Sequence, residues 1–389
     1  MGIGNKTGRN VIADALRGIA GLCILLYHLS EPFGWPRSGG AAPVPQICGH
    51  GYLCVEFFLL LMGFMLARAY DRRWQTGMTF GAFCKRRLLR LHPLVISGSI
   101  IGFLLFLAQL AGWVVFDYRM RDAGLGVCGA LGLMSLTFAM IPCFGWGFLN
   151  PFNPCSWTLH YEYVANALYG LWVRRFGKLT LLVLSVLAGC WTVTYVMHVD
   201  LGALVGLRCD FLAGIAARSR DSIEVGWGVR AEDFYGGFVR LCFPFFFGLL
   251  LSRLGWKIRL PRFGLSICLA VFLALLFVPM PFGSFRQNGA YELFALFVVL
   301  PVLLLASEGT EVRSAKAAAF WTFVAEMSYP LYMTHYPFMR VHNWWVTTRS
   351  SAYSPAVCLA VCASEFVLLV GLSYLVKRFY DERVRGWFA

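Results

Sequence analysis

From end to end the chain alternates apolar runs of roughly membrane-spanning length with short polar or Gly/Pro-rich turns. The runs and their turn signals predict spans near 12–31, 51–69, 93–114, 157–173, 179–198, 236–253, 263–281, 290–306, 318–340 and 355–376. Pro93 is expected to open the third span, and Ser38–Pro45 (SGGAAPVP) reads as a loop between the first two. Two further segments, near 125–142 and 201–217, are apolar but short or interrupted by Gly, Arg and Asp. Such pieces are tolerated at membrane depth when buried in protein or lining a cavity. The expected fold is an all-α polytopic membrane protein of about ten transmembrane helices plus one or two re-entrant or interfacial helices, in a single domain over residues 1–389. No polar linker is long enough for a soluble domain, and no internal repeat is visible.

Composition agrees: 59% of residues are hydrophobic, 16% aromatic and only 14% charged, far from a soluble globular balance. The net charge of +14 does not argue for nucleic acid as a partner, because Lys and Arg collect at the ends of apolar runs. The clusters are Arg68–Arg73, Lys85–Arg90, Arg174–Lys178, Arg253–Arg262 and Lys377–Arg385. With the N-terminus inside, those after spans 2, 4, 6 and 10 all fall inside only if neither extra segment makes a net crossing. Both termini are then cytoplasmic. Met1–Asn10 is polar and basic, but no small-residue cleavage site follows the first apolar run, so that run is expected to be retained. The 13 Cys are odd in number and scattered within apolar runs, with no metal-ligand spacing. Cys143 and Cys155 flank a candidate external loop, where a bridge is weighed but not expected.

Against that background, ionisable groups inside apolar runs carry the information, because each is costly in hydrocarbon. Arg17 and His28 share the run Ala15–Ser30. Eleven residues is close to three full turns, so both project from one helix face, about 16–17 Å apart along the axis. Glu56 lies in the second run, Glu162 in the fourth and His335 in the ninth. In the expected topology His28, Glu56, Glu162 and His335 stand about 6–12 Å from the outer surface. Two imidazoles and two carboxylates at one depth suit a His general base oriented by a carboxylate. Ser328 and His335, seven apart, share a face. At the inner end Arg17 joins Arg86, Arg87 and Arg90 of KRRLLRLHP, whose guanidinium forks suit phosphate. The plainer reading of that run is a topogenic, lipid-facing cluster, and Arg17 alone can snorkel. His92 at the interface reads as structural, His160 ranks second among the candidates, and His50, His198 and His342 receive no role.

These residues together resemble the acyltransferase-3 family of integral-membrane acyltransferases. The resemblance covers roughly residues 11–340: Asp14-Ala-Leu-Arg17-Gly18 with His28, Val55-Glu56-Phe57-Phe58 with Gly63, Arg87-x-x-Arg90-x-x-Pro93, Trp157-Thr158-Leu159 with Glu162, Phe247-Gly248, and Ser328-Tyr329-Pro330-Leu331-Tyr332 with His335. Glu56 stands where the family usually has Asp, Met62 where it has Ser, and Thr158 where it has Ser. The resemblance implies transfer of an acyl group, most often acetyl, from cytoplasmic acyl-CoA as co-substrate to a hydroxyl of a surface or exported glycan, a lipid-linked sugar or a related acceptor. It implies residence in a bacterial inner membrane, with no bound cofactor or metal. Arg17, Arg86, Arg87 and Arg90 would hold the CoA. His28 would act as base or as acyl relay, oriented by Glu162 or Glu56, with His335 nearby. Two other readings stay open on the residues alone: a proton-coupled secondary transporter using the embedded His, Glu and Arg, and a structural membrane subunit.

Overall fold

The computed structural model describes residues 10–34, 44–113, 124–197, 199, 223, 228–230 and 233–387. The segment 201–217, His198 and most of the 38–45 loop lie outside them. In chain order the helices are α1 (Val11–Ser30), α2 (Leu53–Gln75), α3 (Phe80–Leu110), α4 (Val127–Phe138), α5 (Trp157–Leu171), α6 (Lys178–Met197) and α7 (Phe234–Leu254). Then come α8 (Gly264–Leu276), α9 (Phe285–Gly309, with a π turn at Ala295–Val299), α10 (Ala315–Thr334), α11 (Tyr336–Thr348), α12 (Pro355–Val376) and α13 (Glu382–Trp387). The protein is an all-α polytopic membrane protein. Among the described residues seven helices are long and apolar enough to span: α1, α2, α3, α6, α7, α9 and α12. The expected spans at 157–173, 263–281 and 318–340 correspond to α5 at 15 residues, α8 at 13 and the more polar α10 at 20.

Two prolines shift the expected helix boundaries, and both shifts matter to the site. Pro93 does not open a span; α3 starts at Phe80 and runs through it. Pro93 offers no N–H to the Leu89 carbonyl and loosens the turn that follows it. Here the carbonyls of Leu91 and Arg90 accept from the Tyr329 hydroxyl (2.8 Å) and from Arg385 Nη2 (3.0 Å). The ninth span does not continue to residue 340: it breaks at His335, and Pro337 stands in the first turn of α11. Pro337 has no N–H for the Met333 carbonyl. Asn153 Nδ2 donates to that carbonyl instead, at 2.8 Å.

Small residues set the close helix pairs, as expected where apolar burial alone does not distinguish helix from lipid. Gly18 and Gly21 of α1 lie against Val324 and Ser328 of α10, and seven residues further along each helix His28 meets His335. These two helices therefore run parallel. On α2 and α7, Gly63 faces the Phe245 backbone and Gly248 the Leu60 backbone, leaving no room for a Cβ. The Glu56–Arg240 and Asp71–Arg253 ion pairs fix that pair as parallel too. By contrast, α3 and α5 are antiparallel: Phe80 and Phe83 approach Gly170, while Arg87 approaches Glu162. Had the intervening segment made a net crossing, α3 and α5 would run the same way. The helix found there, α4, has 12 residues and a length of about 18 Å, short of the hydrocarbon thickness.

Candidate active site

His28 lies in the last turn of α1, and Glu31 follows in a 3-10 turn. Three residues apart on continuous helical backbone, the two side chains meet. His28 Nδ1 donates to Glu31 Oε2 at 3.2 Å, which leaves Nε2 as the basic nitrogen of the neutral ring. His335 sits at the α10–α11 break, where its Nδ1 donates to the Leu331 carbonyl at 2.9 Å. The two imidazoles stack with centroids 5.4 Å apart. Tyr336 meets the His28 ring edge-on at 5.0 Å. Cys155, in the 3-10 turn Pro154–Ser156 before α5, places Sγ 3.8 Å from His335 Nε2. The donor atoms of His28, Cys155 and His335 lie within 4.8 Å of one another, and all three residues are buried. A tetrahedral zinc would hold S and N ligands roughly 3.6 Å apart. The Cys155–His335 separation of 3.8 Å is close to that spacing and equally suits a thiol donating to an imidazole.

Glu56 does not reach the imidazoles. It accepts from Arg240 Nε at 2.6 Å and from Arg240 Nη2 at 3.1 Å, both side chains fully buried, and the guanidinium lies over the Trp157 ring at 4.8 Å. The remaining nitrogen, Arg240 Nη1, is buried and has no hydrogen-bond partner among the described residues. Arg240, His28, Cys155, Trp157, Tyr332 and Tyr336 border one small cavity of about 20 Å³. Tyr52 also borders it, its ring against Tyr27, and donates to the buried carboxylate of Glu292. That carboxylate is also held by Asn288, which bonds His50 Nε2. Burial pushes the His50 imidazole below its ordinary value.

A second cavity of about 700 Å³ opens toward the other end of the same helices. Its charged wall carries Arg17, Arg73, Arg87, Arg90, Lys377 and Arg385 with the carboxylates Glu162, Glu326, Asp381 and Glu382, of which the last three pair with Lys377 or Arg385; Val55, Thr158 and Tyr332 line it toward the small cavity. Val55 and Tyr332 border the small cavity as well. Arg17, Arg87 and Arg90 are thus brought together as expected. Arg86 is not: it is exposed on the outside of α3, about 100° around the helix from Arg87. Glu162 is also displaced from its expected level, accepting from Arg87 Nη2 at 2.7 Å on the wall of the large cavity. Because α3 starts so far before Pro93, Arg87 reaches into the bundle opposite α5. Trp157, at the start of α5, stays beside Arg240, while Glu162 lies about 7.5 Å lower. Neither Glu162 nor Glu56 is the carboxylate of His28; Glu31 is. His160 bonds the Met140 carbonyl at 3.0 Å, outside both cavities. Cys143 and Cys155 are free thiols.

Buried imidazoles and a cavity lined with basic and acidic side chains thus stand within one embedded helical bundle. The profile described as an acyltransferase domain matches residues 10–374, and the chain belongs to the acyltransferase-3 family; it is a multi-pass membrane acyltransferase, acting on an acyl donor and an acceptor. It is similar to "Protein 2 in picA locus" of Rhizobium radiobacter, at 32% identity over 195 residues, which is 46% of this chain and 91% of that protein. No solved structure matches the chain.

Three site residues escaped the sequence reading. Arg240 is the lone charged residue between Asp233 and Arg253, so the rule that singled out Arg17 applies to it equally. Glu31 stands at i+3 from His28, a spacing that was visible. Cys155 had no signal of its own, since its importance depends on a contact 180 residues away in the chain.

Proposed function

We propose that this enzyme moves an acyl group, acetyl foremost, from cytoplasmic acyl-CoA to a hydroxyl of a surface or exported glycan or lipid-linked sugar. The bearing membrane is a bacterial cytoplasmic membrane, with both termini on the cytoplasmic side. The observation that carries this reading is the shared wall of the two cavities: Val55 and Tyr332 border both, with six basic side chains lining the larger and His28 the smaller. Nucleotide phosphates suit the guanidinium forks of Arg17, Arg87 and Arg90 in the larger. The pantetheine arm is comparable in length to the Arg17–His28 rise of about 16–17 Å. The thioester carbonyl would then arrive beside His28 and Arg240. His28 Nε2 takes the proton of the acceptor hydroxyl, and Glu31 steadies the imidazolium that results. Arg240 Nη1, buried and without a partner among the described residues, faces the oxyanion that develops on the attacked carbonyl.

The test is thiol release from acetyl-CoA by purified protein in the presence of an envelope-glycan extract, with acetyl esters on the glycan measured in parallel. Coupled appearance of both supports the reading. A protein that moves protons or solute across vesicles while leaving the thioester intact is a transporter, and the reading falls.

A further inference from the structure

Resting on that reading, we propose that Cys155 is a covalent way-station: the acyl group passes from the donor thiol to Cys155 and only then to the acceptor. Three observations lead there. The first is shared space. His28 and Cys155 line one cavity of about 20 Å³, so an acyl group that arrives beside that imidazole also arrives beside the thiol.

The second is the duplication of bases. One imidazole is enough for direct transfer, yet two stand in contact, each oriented by a different acceptor. His28 is held by the Glu31 carboxylate, and His335 by the Leu331 carbonyl. The third is what each free nitrogen faces. Nε2 of His335 points at Cys155 Sγ, 3.8 Å away, which is the relation of a thiol nucleophile to its base. His28 Nε2 has no such neighbour bonded to it among the described residues, which suits a hydroxyl that arrives later.

The steps balance without any redox partner. In the first, Cys155 Sγ bonds the acyl carbon as its proton passes to His335 Nε2; the donor C–S bond breaks, and that proton leaves on the CoA thiol. A free thiolate in so dry a site is costly, so proton transfer and attack go together. In the second, the acceptor oxygen bonds the acyl carbon as its proton passes to His28 Nε2. The Cys155–acyl bond breaks, and the proton returns to Sγ across the cluster, whose donor atoms lie within 4.8 Å. Thioester for thioester is near balance, and thioester to oxygen ester runs downhill.

The experiment needs no acceptor. Purified full-length protein is mixed with acetyl-CoA and isotopically labelled CoA, and label entering acetyl-CoA is followed. Alongside, the protein is quenched, digested and mapped for an acetyl group removed by neutral hydroxylamine. The relay predicts exchange, acetyl on Cys155, loss of exchange in Cys155→Ala, and a fall of about 10²-fold or more in His335→Ala. His28→Ala should lose transfer to an acceptor far more than it loses exchange. Because the wild type is mapped directly, the result stands even if Cys155→Ala folds poorly. Thiol release with glycan present, but no exchange and no acetyl on Cys155, overturns the relay and spares the acyltransferase reading. Acetyl on His28 instead overturns it too, as does a co-purified metal whose removal abolishes exchange. Neither thiol release nor exchange by the wild type overturns both readings.

Discussion

Glu56 and Glu162 look alike in the sequence, each a lone carboxylate in an apolar run, yet the two ends of the bundle treat them differently. At the imidazole end Glu56 has no exposure and receives two hydrogen bonds from one guanidinium, beside a cavity of about 20 Å³. At the basic end the Glu162 side chain keeps 20% of its surface and a single bond from Arg87, on the wall of about 700 Å³. A dry bidentate pair cannot exchange partners without stranding a charge, so it serves as a fixture. A half-open pair can, and an arriving phosphate competes with Glu162 for Arg87. The same chemistry thus yields a rigid frame where bonds are made and a yielding one where the donor enters.

The largest expected effect lies at the rigid end. His28→Ala should lower acyl transfer by about 10²–10⁴-fold, with thioester consumption and acceptor acylation measured together. The variant removes one polar group from an apolar helix, so it should still insert and purify. Near-normal transfer by His28→Ala would place the acceptor's base on another helix and erase the distinction between the two ends.

Stability separates the two carboxylates next. Glu56→Ala leaves Arg240 buried without its counter-charge, which typically costs about 3–5 kcal/mol. Glu162→Ala leaves Arg87, 8% exposed, without its counter-charge on the wall of a cavity that water can enter, and a smaller loss of about 1–3 kcal/mol is expected. Thermal unfolding of the two purified variants reads this directly. Equal losses would mean that the large cavity is as dry as the small one.

How much of this was legible follows the same divide. The shared face of Arg17 and His28, the grouping of Arg17 with Arg87 and Arg90, and the lack of a net crossing near 125–142 came from helical period and charge placement, which are local. The partners of Glu56 and Glu162 did not, because which side chain lies across a bundle is set by helix starts and crossings rather than by period. Pro93 shows how one misread boundary spreads. Taken as a helix start, it left Arg87 at the membrane edge and Glu162 among the imidazoles; within α3, it puts the two together. Likewise, the break at His335 depends on Asn153 capturing the Met333 carbonyl, a contact 180 residues distant in the chain.

At the yielding end, Arg17→Ala or Arg90→Ala should raise the donor KM by roughly 10- to 150-fold, for the loss of about 1.5–3 kcal/mol of charge-assisted hydrogen bonding. Lysine at either position should recover part of that, since it keeps the charge without the fork. Initial rates against acetyl-CoA concentration decide it. A fall in kcat at unchanged KM would move these arginines from donor capture to the chemistry.

The smallest effect is the sharpest check on where the cavity wall runs. Arg86 shares a sequence cluster with Arg87 and Arg90, and a purely electrostatic account of the charged wall would weight all three alike. The helix does not: Arg86 and Arg90 are both exposed and Arg87 is buried, but only Arg87 and Arg90 line the cavity. A charge on the outer side of α3 interacts with a bound phosphate mainly through screened solvent or headgroups. Arg86→Ala should therefore shift the donor term by no more than about 0.5 kcal/mol, a KM change of roughly twofold. Measured beside Arg90→Ala under one ionic strength, a twofold change against a tenfold or larger one locates the donor inside the bundle. Comparable changes in the two variants would mean that the nucleotide lies across the outer surface of α3, and the cavity would no longer be its seat.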